Sequence, residues 1–290
     1  PNYKTFSYAS PMPKLNLQNK EAADFVIDVA SSWIKDCDID GWRLDVADEI
    51  HHAFWKRFRK EMKAVKKDIL IVGEIWHFAG DFLEGDEWDS VMNYEFHRSV
   101  MDLVAKQKIC PSVFMGNLNF IKGNLNQSLD GYLWNIIDSH DTERFINTVQ
   151  KDVKKLRMAA ALQLLLPGMP MIYYGDEVAL EGGPDPDCRR GMLWDENRQN
   201  KELLSYYQTL IRIRHNYPEL TEGIMQEQYT EDEKGLIYIK RQLGDKYITL
   251  VFHTQKGTIN LPELKGLQNL VTEQKFLGSL GDYEAAVLVE

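Results

Sequence analysis

Three carboxylic acids stand where short apolar runs end. Asp45 follows Trp42-Arg43-Leu44, Glu74 follows Ile69-Leu70-Ile71-Val72-Gly73, and Asp141, behind His140, closes the run 132–138. If those runs are parallel strands, the acids gather at one rim, where strands end and the loops to the following helices begin. A carboxylate nucleophile, a protonated carboxyl and a third acid that supports an oxocarbenium-like transition state are the equipment of glycosidic bond cleavage. Any one such acid is more often a helix cap or a surface charge. Arg43 argues otherwise for Asp45: two residues back on a strand it points to the same side and keeps the carboxylate ionised. Glu74, between an apolar run and Ile75-Trp76, has surroundings that raise its pKa and suit it to the acid role.

The elements that must position these groups are legible in outline. Helical patterns are expected at residues 22–35, 51–66, 95–106, 111–126 and 152–165, the first with Phe25, Val29, Ser32 and Trp33 along one side. Residues 38–45 read as a turn entering a strand, and further strands are expected at 69–74, 90–93, 132–138 and 169–174. Alternation of the two kinds predicts βα units and a parallel sheet. After residue 217 the composition shifts to β-branched and aromatic runs broken by Gly, Pro, Asn and Asp, which predicts a small antiparallel β domain. The boundary is placed at 218–224, giving a first domain at 1–220 and an all-β domain at 221–290.

Composition narrows the partner. The 290 residues carry 34 Lys and Arg against 44 Asp and Glu, a net charge of −10, with no basic run, which excludes a nucleic-acid binder. No apolar stretch reaches the roughly 20 residues of a membrane span. Cys37, Cys110 and Cys188 are scattered and form no CxxC pair, so neither a disulfide framework nor a zinc-thiolate site is expected, and sparse cysteine favours a cytoplasmic setting. The acid-rich segment 182–187 lacks calcium-loop spacing, and no HExxH occurs, so no metal ligand is assigned. Among Trp42, Trp76, Tyr173, Tyr174 and Trp194, only Trp76 is chosen as a face for sugar stacking.

Those residues also carry a family resemblance. Asp40-Gly41-Trp42-Arg43-Leu44-Asp45, Gly73-Glu74-Ile75-Trp76, Ser139-His140-Asp141 and Gly168-Met169-Pro170-Met171-Ile172-Tyr173-Tyr174-Gly175-Asp176-Glu177 resemble, in order and spacing, the fourth-, fifth-, seventh- and eighth-strand motifs of the α-amylase family of glycoside hydrolases. Met12-Pro13-Lys14-Leu15-Asn16 resembles the marker of its neopullulanase, cyclomaltodextrinase and maltogenic amylase branch, and Asp185-Pro186-Asp187-Cys188-Arg189 that branch's loop after strand eight. The resemblance implies a (β/α)8 barrel present from about strand four to strand eight, then a C-terminal β-sandwich, with residues 1–16 the end of a loop domain. It implies Asp45 as nucleophile, Glu74 as acid and then base, and Asp141 as transition-state stabiliser, with Arg43, His140, Trp76, Asp185, Arg189 and Glu49 binding substrate. Where the branch usually has Asn-Glu, this chain has Asp48-Glu49, which leaves acceptor preference open. The implied substrates are α-glucans such as cyclodextrins, pullulan, starch or maltooligosaccharides, cut at α-1,4 bonds, with α-1,6 bonds left open. No cofactor is implied in this chain; calcium is left open for a full-length enzyme.

A complete barrel places about 90 residues before its fourth strand, and 39 precede Asp40 here. With no initial Met, the chain reads as the C-terminal portion of a larger enzyme, inactive by itself, associating as a homodimer or through exposed barrel edges. The rival readings are a non-catalytic carbohydrate-binding or assembly fragment of such an enzyme, and a related α-glucosidase or transglycosylase.

Overall fold

A computed structural model describes residues 3–7, 9–125 and 131–290. The chain divides into two compact units, residues 1–95 with 121–134, and residues 96–120 with 135–290.

In the first unit, helix α1 (Lys20–Cys37), strand β1 (Gly41–Leu44), helix α2 (His52–Val65), strand β2 (Leu70–Gly73) and strand β3 (Ser90–Asn93) follow one another. The three strands pair in parallel, Gly41 opposite Leu70 and Val72 opposite Ser90, as the alternating pattern predicts. Asn19 caps α1 with its side chain accepting from the Ala22 N–H at 3.1 Å. The buried side of α1 is Ala23, Ile27, Ala30, Ser31 and Ile34. The stripe read from sequence faces the other way: Phe25, Val29 and Trp33 are 66%, 42% and 51% exposed. Both stripes obey helical spacing, so periodicity cannot choose between them, and the smaller residues win because they allow close approach to α2. On α2, Phe54, Trp55, Phe58 and Met62 are buried. Trp88 lies between β2 and α2, stacked on Phe82 at 4.1 Å and meeting Trp55 edge-on. A Cβ at Gly73 would come within 2.4 Å of the Trp88 ring, so the residue before Glu74 has no room for a side chain.

The second unit holds α4 (Pro111–Gly123) up to residue 120, α6 (Val153–Leu165) and α7 (Lys201–Asn216). The end of the helix expected to reach residue 126 lies outside the described residues. Two expected strands are much shorter than read. Of 132–138 only Trp134–Asn135 is extended, and of 169–174 only Met169–Pro170. The carboxamide of the buried Gln163, from α6, donates to the carbonyls of Asn135 and Met171 at 3.1 and 2.8 Å, beside the Met171 N–H, which donates to Asn135 O at 3.0 Å.

After α7 the chain forms a six-stranded antiparallel sheet led by β6 (Ile224–Glu231), β7 (Leu236–Leu243) and β8 (Lys246–His253), with β13 (Glu284–Val289) against β8. Ile237, Ile239, Ile248, Leu250 and Phe252 share a core with Leu156, Leu164, Leu203 and Leu210 of α6 and α7. The opposite face, Leu236, Tyr238 and Val251, is covered by Ile259, Leu261, Phe276 and Leu280, from the segments that form a small two-stranded sheet, β9 (Ile259–Asn260) with β12 (Ser279–Leu280), and their surroundings. The antiparallel segment thus begins where the composition changes, and its inner face is buried against helices.

Candidate active site

The turn after β1 is built around one guanidinium. Arg43 pairs with Asp45, two residues on, and its Nη2 lies 2.9 Å from Glu74 Oε1 at the end of β2. Its Nε donates to Met92 Sδ on β3 at 3.4 Å, which fixes the plane of the group. Parallel pairing sets Leu44 opposite Gly73 and brings the following acids to the same end of the sheet. Glu74 is further held by the Val46 N–H, which donates to Oε2 at 2.9 Å, and by the indole N–H of Trp76, 3.4 Å from Oε1. The backbone closes the arrangement, with Glu74 N–H donating to Leu44 O and Ala47 N–H to Glu74 O.

Two features distinguish the acids. The Asp45 side chain is 67% exposed and that of Glu74 is 4%. Burial pushes the Glu74 pKa up, opposed by the Val46 N–H and by Arg43, and reinforced by the negative charge of Asp45. One acid is thus open to solvent beside the guanidinium, and the pKa of its buried neighbour is raised. Val46 occupies the left-handed region at φ 44°, costly for a β-branched residue. That strain is maintained by the hydrogen bond to Glu74.

Around these groups, Trp76 is 47% exposed and stacks on the buried Tyr94 at 4.2 Å, so one face of the indole is occupied within the protein. Glu49 is drawn toward the segment 12–16: Lys14 Nζ lies 3.0 Å from its Oε2, and the Ser7 N–H donates to Oε1 at 2.7 Å, which holds its pKa down. Asp48 pairs with His77 at 3.1 Å. His52 pairs with the buried Glu87. None of these four contacts is visible in sequence, because each joins residues far apart in the chain.

In the second unit Asp141 sits between His140 Nε2 at 3.0 Å and Arg189 Nη2 at 2.9 Å. Arg189 Nε reaches Asp185 at 2.7 Å and the carbonyl of His140 at 2.9 Å. The four residues Asp141, His140, Asp185 and Arg189 therefore form one cluster. Asp187 is taken up by Arg190 at 2.6 Å and by the Gly183 N–H. The two acids of the loop thus face separate arginines. Among the described residues no group of three or more His, Cys, Asp and Glu is arranged to hold a metal ion. Tyr173 and Tyr174 flank the fully buried Arg144, 3.9 and 4.7 Å from its guanidinium carbon, whereas Trp194 is 80% exposed. His97 is half-buried, bonds the Ile137 carbonyl, and has its pKa pushed down to about 4 by desolvation, so it packs as a neutral ring.

The sequence as a whole and the fold are similar to those of known proteins. Residues 2–197 match the family described as alpha amylase, catalytic domain, and the chain belongs to that family. Neopullulanase 2 of Thermoactinomyces vulgaris is 42% identical over 270 residues, 91% of this chain and 46% of that protein. A cyclomaltodextrinase of Geobacillus thermopakistaniensis is 39% identical over 282 residues, 95% of this chain and 48% of that protein. A solved cyclomaltodextrinase structure superposes with a TM-score of 0.93 at 33% identity, covering 99% of this chain and 52% of that one. The chain spans about half the length of the curated relatives it matches.

Proposed function

We propose that this chain carries the catalytic acids of a retaining glycosidase acting on α-glucans of the cyclodextrin, pullulan, starch or maltooligosaccharide kind. The observation that carries the reading is the Arg43 guanidinium shared by an exposed Asp45 and a buried Glu74 whose pKa is raised. Asp45 is the nucleophile that forms a covalent glycosyl-enzyme. Glu74 protonates the departing sugar oxygen and then, deprotonated, activates the water that hydrolyses the intermediate. Asp141 stabilises the charge that develops on the sugar ring, while Arg43, His140, Trp76, Asp185, Arg189 and Glu49 bind substrate. For retention the carboxyls of Asp45 and Glu74 work about 5 to 5.5 Å apart.

In this reading β1, β2 and β3, with the strands at 134–135 and 169–170, are strands four to eight of a (β/α)8 barrel. Residues 1–220 belong to the catalytic domain and 221–290 to a C-terminal β domain. The names of the relatives support the α-glucan substrate class, and one of them, from Bacillus subtilis, is named an intracellular maltogenic amylase, in keeping with a cytoplasmic site of action. No helix among the described residues is long and apolar enough to cross a membrane.

A fluorinated glucosyl fluoride, which forms the glycosyl-enzyme but slows its hydrolysis, tests the assignment on the full-length enzyme. Mass spectrometry of peptides should find the label on Asp45 and on no other acid. Labelling elsewhere, or hydrolysis of maltooligosaccharides by D45N at the wild-type rate, would sink it.

A further inference from the structure

Beneath the Asp141 cluster lies a sealed charged group that the reaction does not use. Arg144, Asp138 and Asp176 are 0%, 1% and 4% exposed. Arg144 Nη1 is 3.1 Å from Asp176 Oδ1, and Asp138 Oδ2 accepts the Phe145 N–H at 2.7 Å. Two acids therefore face one guanidinium in a volume closed to water. Asp138 Oδ1 and Asp176 Oδ2 are left without a partner, although the two carboxyl groups are within hydrogen-bonding reach of each other. One proton placed between these two oxygens satisfies both and leaves a single negative charge for Arg144.

We propose that Asp138 and Asp176 share one proton in the folded protein, and that this acid pair with Arg144 is the positioning unit for the His140–Asp141 turn and the 185–189 loop. The connections are direct. Arg144 Nε donates to the Cys188 carbonyl at 3.0 Å and its backbone N–H to Gly182 O at 3.0 Å, while Cys188 Sγ reaches the His140 carbonyl at 3.1 Å. A Cβ on Gly182 would meet Asp187 O and Cys188 Cα at 2.8 Å, so the loop is closed onto this anchor without slack. The groups facing the pair are Arg144, the hydroxyl of the buried Tyr207 on α7, and the carboxylate of Glu177 further off. The only cation among them is already engaged by Asp176. Burial and mutual repulsion both favour the singly protonated pair.

Infrared difference spectroscopy on the full chain tests the proton directly. It is done in an E74Q background, so that a proton on Glu74 is not counted. At neutral pH, D176N and D138N should each lose the C=O stretch of one protonated carboxyl group. Because Asn can accept from one side and donate to the other, both should fold. Retention of every protonated-carboxyl band in both variants would overturn the proposal.

Stability against pH gives a second reading. A raised carboxyl pKa contributes stability that is complete below the unfolded value and is lost as pH rises through the folded value. The urea midpoint should therefore fall as pH rises above the ordinary Asp value of about 3.9 in wild type and change less in D176N; parallel curves would refute a shared proton.

The positioning role, which rests on the glycosidase reading, is tested by D176A against D176N in the full-length enzyme with Glu74 in place. D176A should raise KM roughly tenfold to a hundredfold, because small displacements of a binding group cost that much, and D176N should restore it. Equal KM values in the two variants would remove the positioning role but leave the spectroscopic result standing. If instead the glycosidase reading fails, no variant hydrolyses α-glucans while the carboxyl band is still lost.

Discussion

Two clusters in this protein have the same composition, one arginine and two acids, and opposite character. Arg43 with Asp45 and Glu74 lies at the end of a parallel sheet, with one carboxylate two-thirds exposed. Arg144 with Asp138 and Asp176 is closed on every side. In the open cluster water reaches one acid, while burial raises the pKa of the other. In the closed one neither acid is reached, so the charge must balance internally, and the outcome is an anchor. Solvent access, set by the backbone around each cluster, separates reactivity from architecture.

The largest effect expected from breaking this contrast is at the open cluster. E74Q keeps the size of the side chain and an acceptor for Val46 but removes the proton donor, and kcat/KM for maltooligosaccharides should fall by about 10³-fold or more. The urea midpoint should stay near wild type, because no buried charge is orphaned. At the closed cluster the result reverses. R144M leaves two buried acids without a cation, and should destabilise the protein by roughly 3 to 5 kcal/mol, read from urea unfolding. Gly73 connects packing to chemistry. G73A forces the Trp88 ring aside, with a cost of about 1 to 3 kcal/mol. Because Glu74 follows directly, kcat should fall as well.

The pH profile sharpens the comparison more gently. Burial raises the Glu74 pKa, and the protonated form is the donor, so kcat/KM should decline as pH rises through a value above the ordinary Glu range of about 4.3. The same shift adds stability below the unfolded pKa that is lost as pH rises through the folded one. An alkaline limb unchanged in a variant that exposes Glu74, such as W76A, would contradict this origin. The smallest effect is at the first helix, where N19A removes the cap bond to Ala22 and should cost about 1 kcal/mol without altering kinetics.

Most of the parallel strand and helix order was legible because apolar runs and helical spacing are local signals. That Asp45 and Glu74 stand at the same end of paired parallel strands was legible because each ends such a run beside a telling neighbour. What escaped has nonlocal causes. The orientation of α1 depended on which of two valid stripes met α2. The strands near 135 and 170 are shorter than their apolar runs, which carry no local sign of where pairing stops. Asp138, Arg144 and Asp176 look in sequence like ordinary motif residues, since nothing local says that they are sealed together. Val46 gives no hint of its left-handed backbone, because β-branched residues avoid it.

That backbone makes the two acids of the open cluster interdependent. The peptide immediately after Asp45 is suspended from the Glu74 carboxyl, so trimming Glu74 to alanine frees the turn to relax and carries Asp45 with it. Rate losses for the two positions will therefore not multiply in a double variant, and alanine at 74 should be worse than glutamine by more than the missing proton explains.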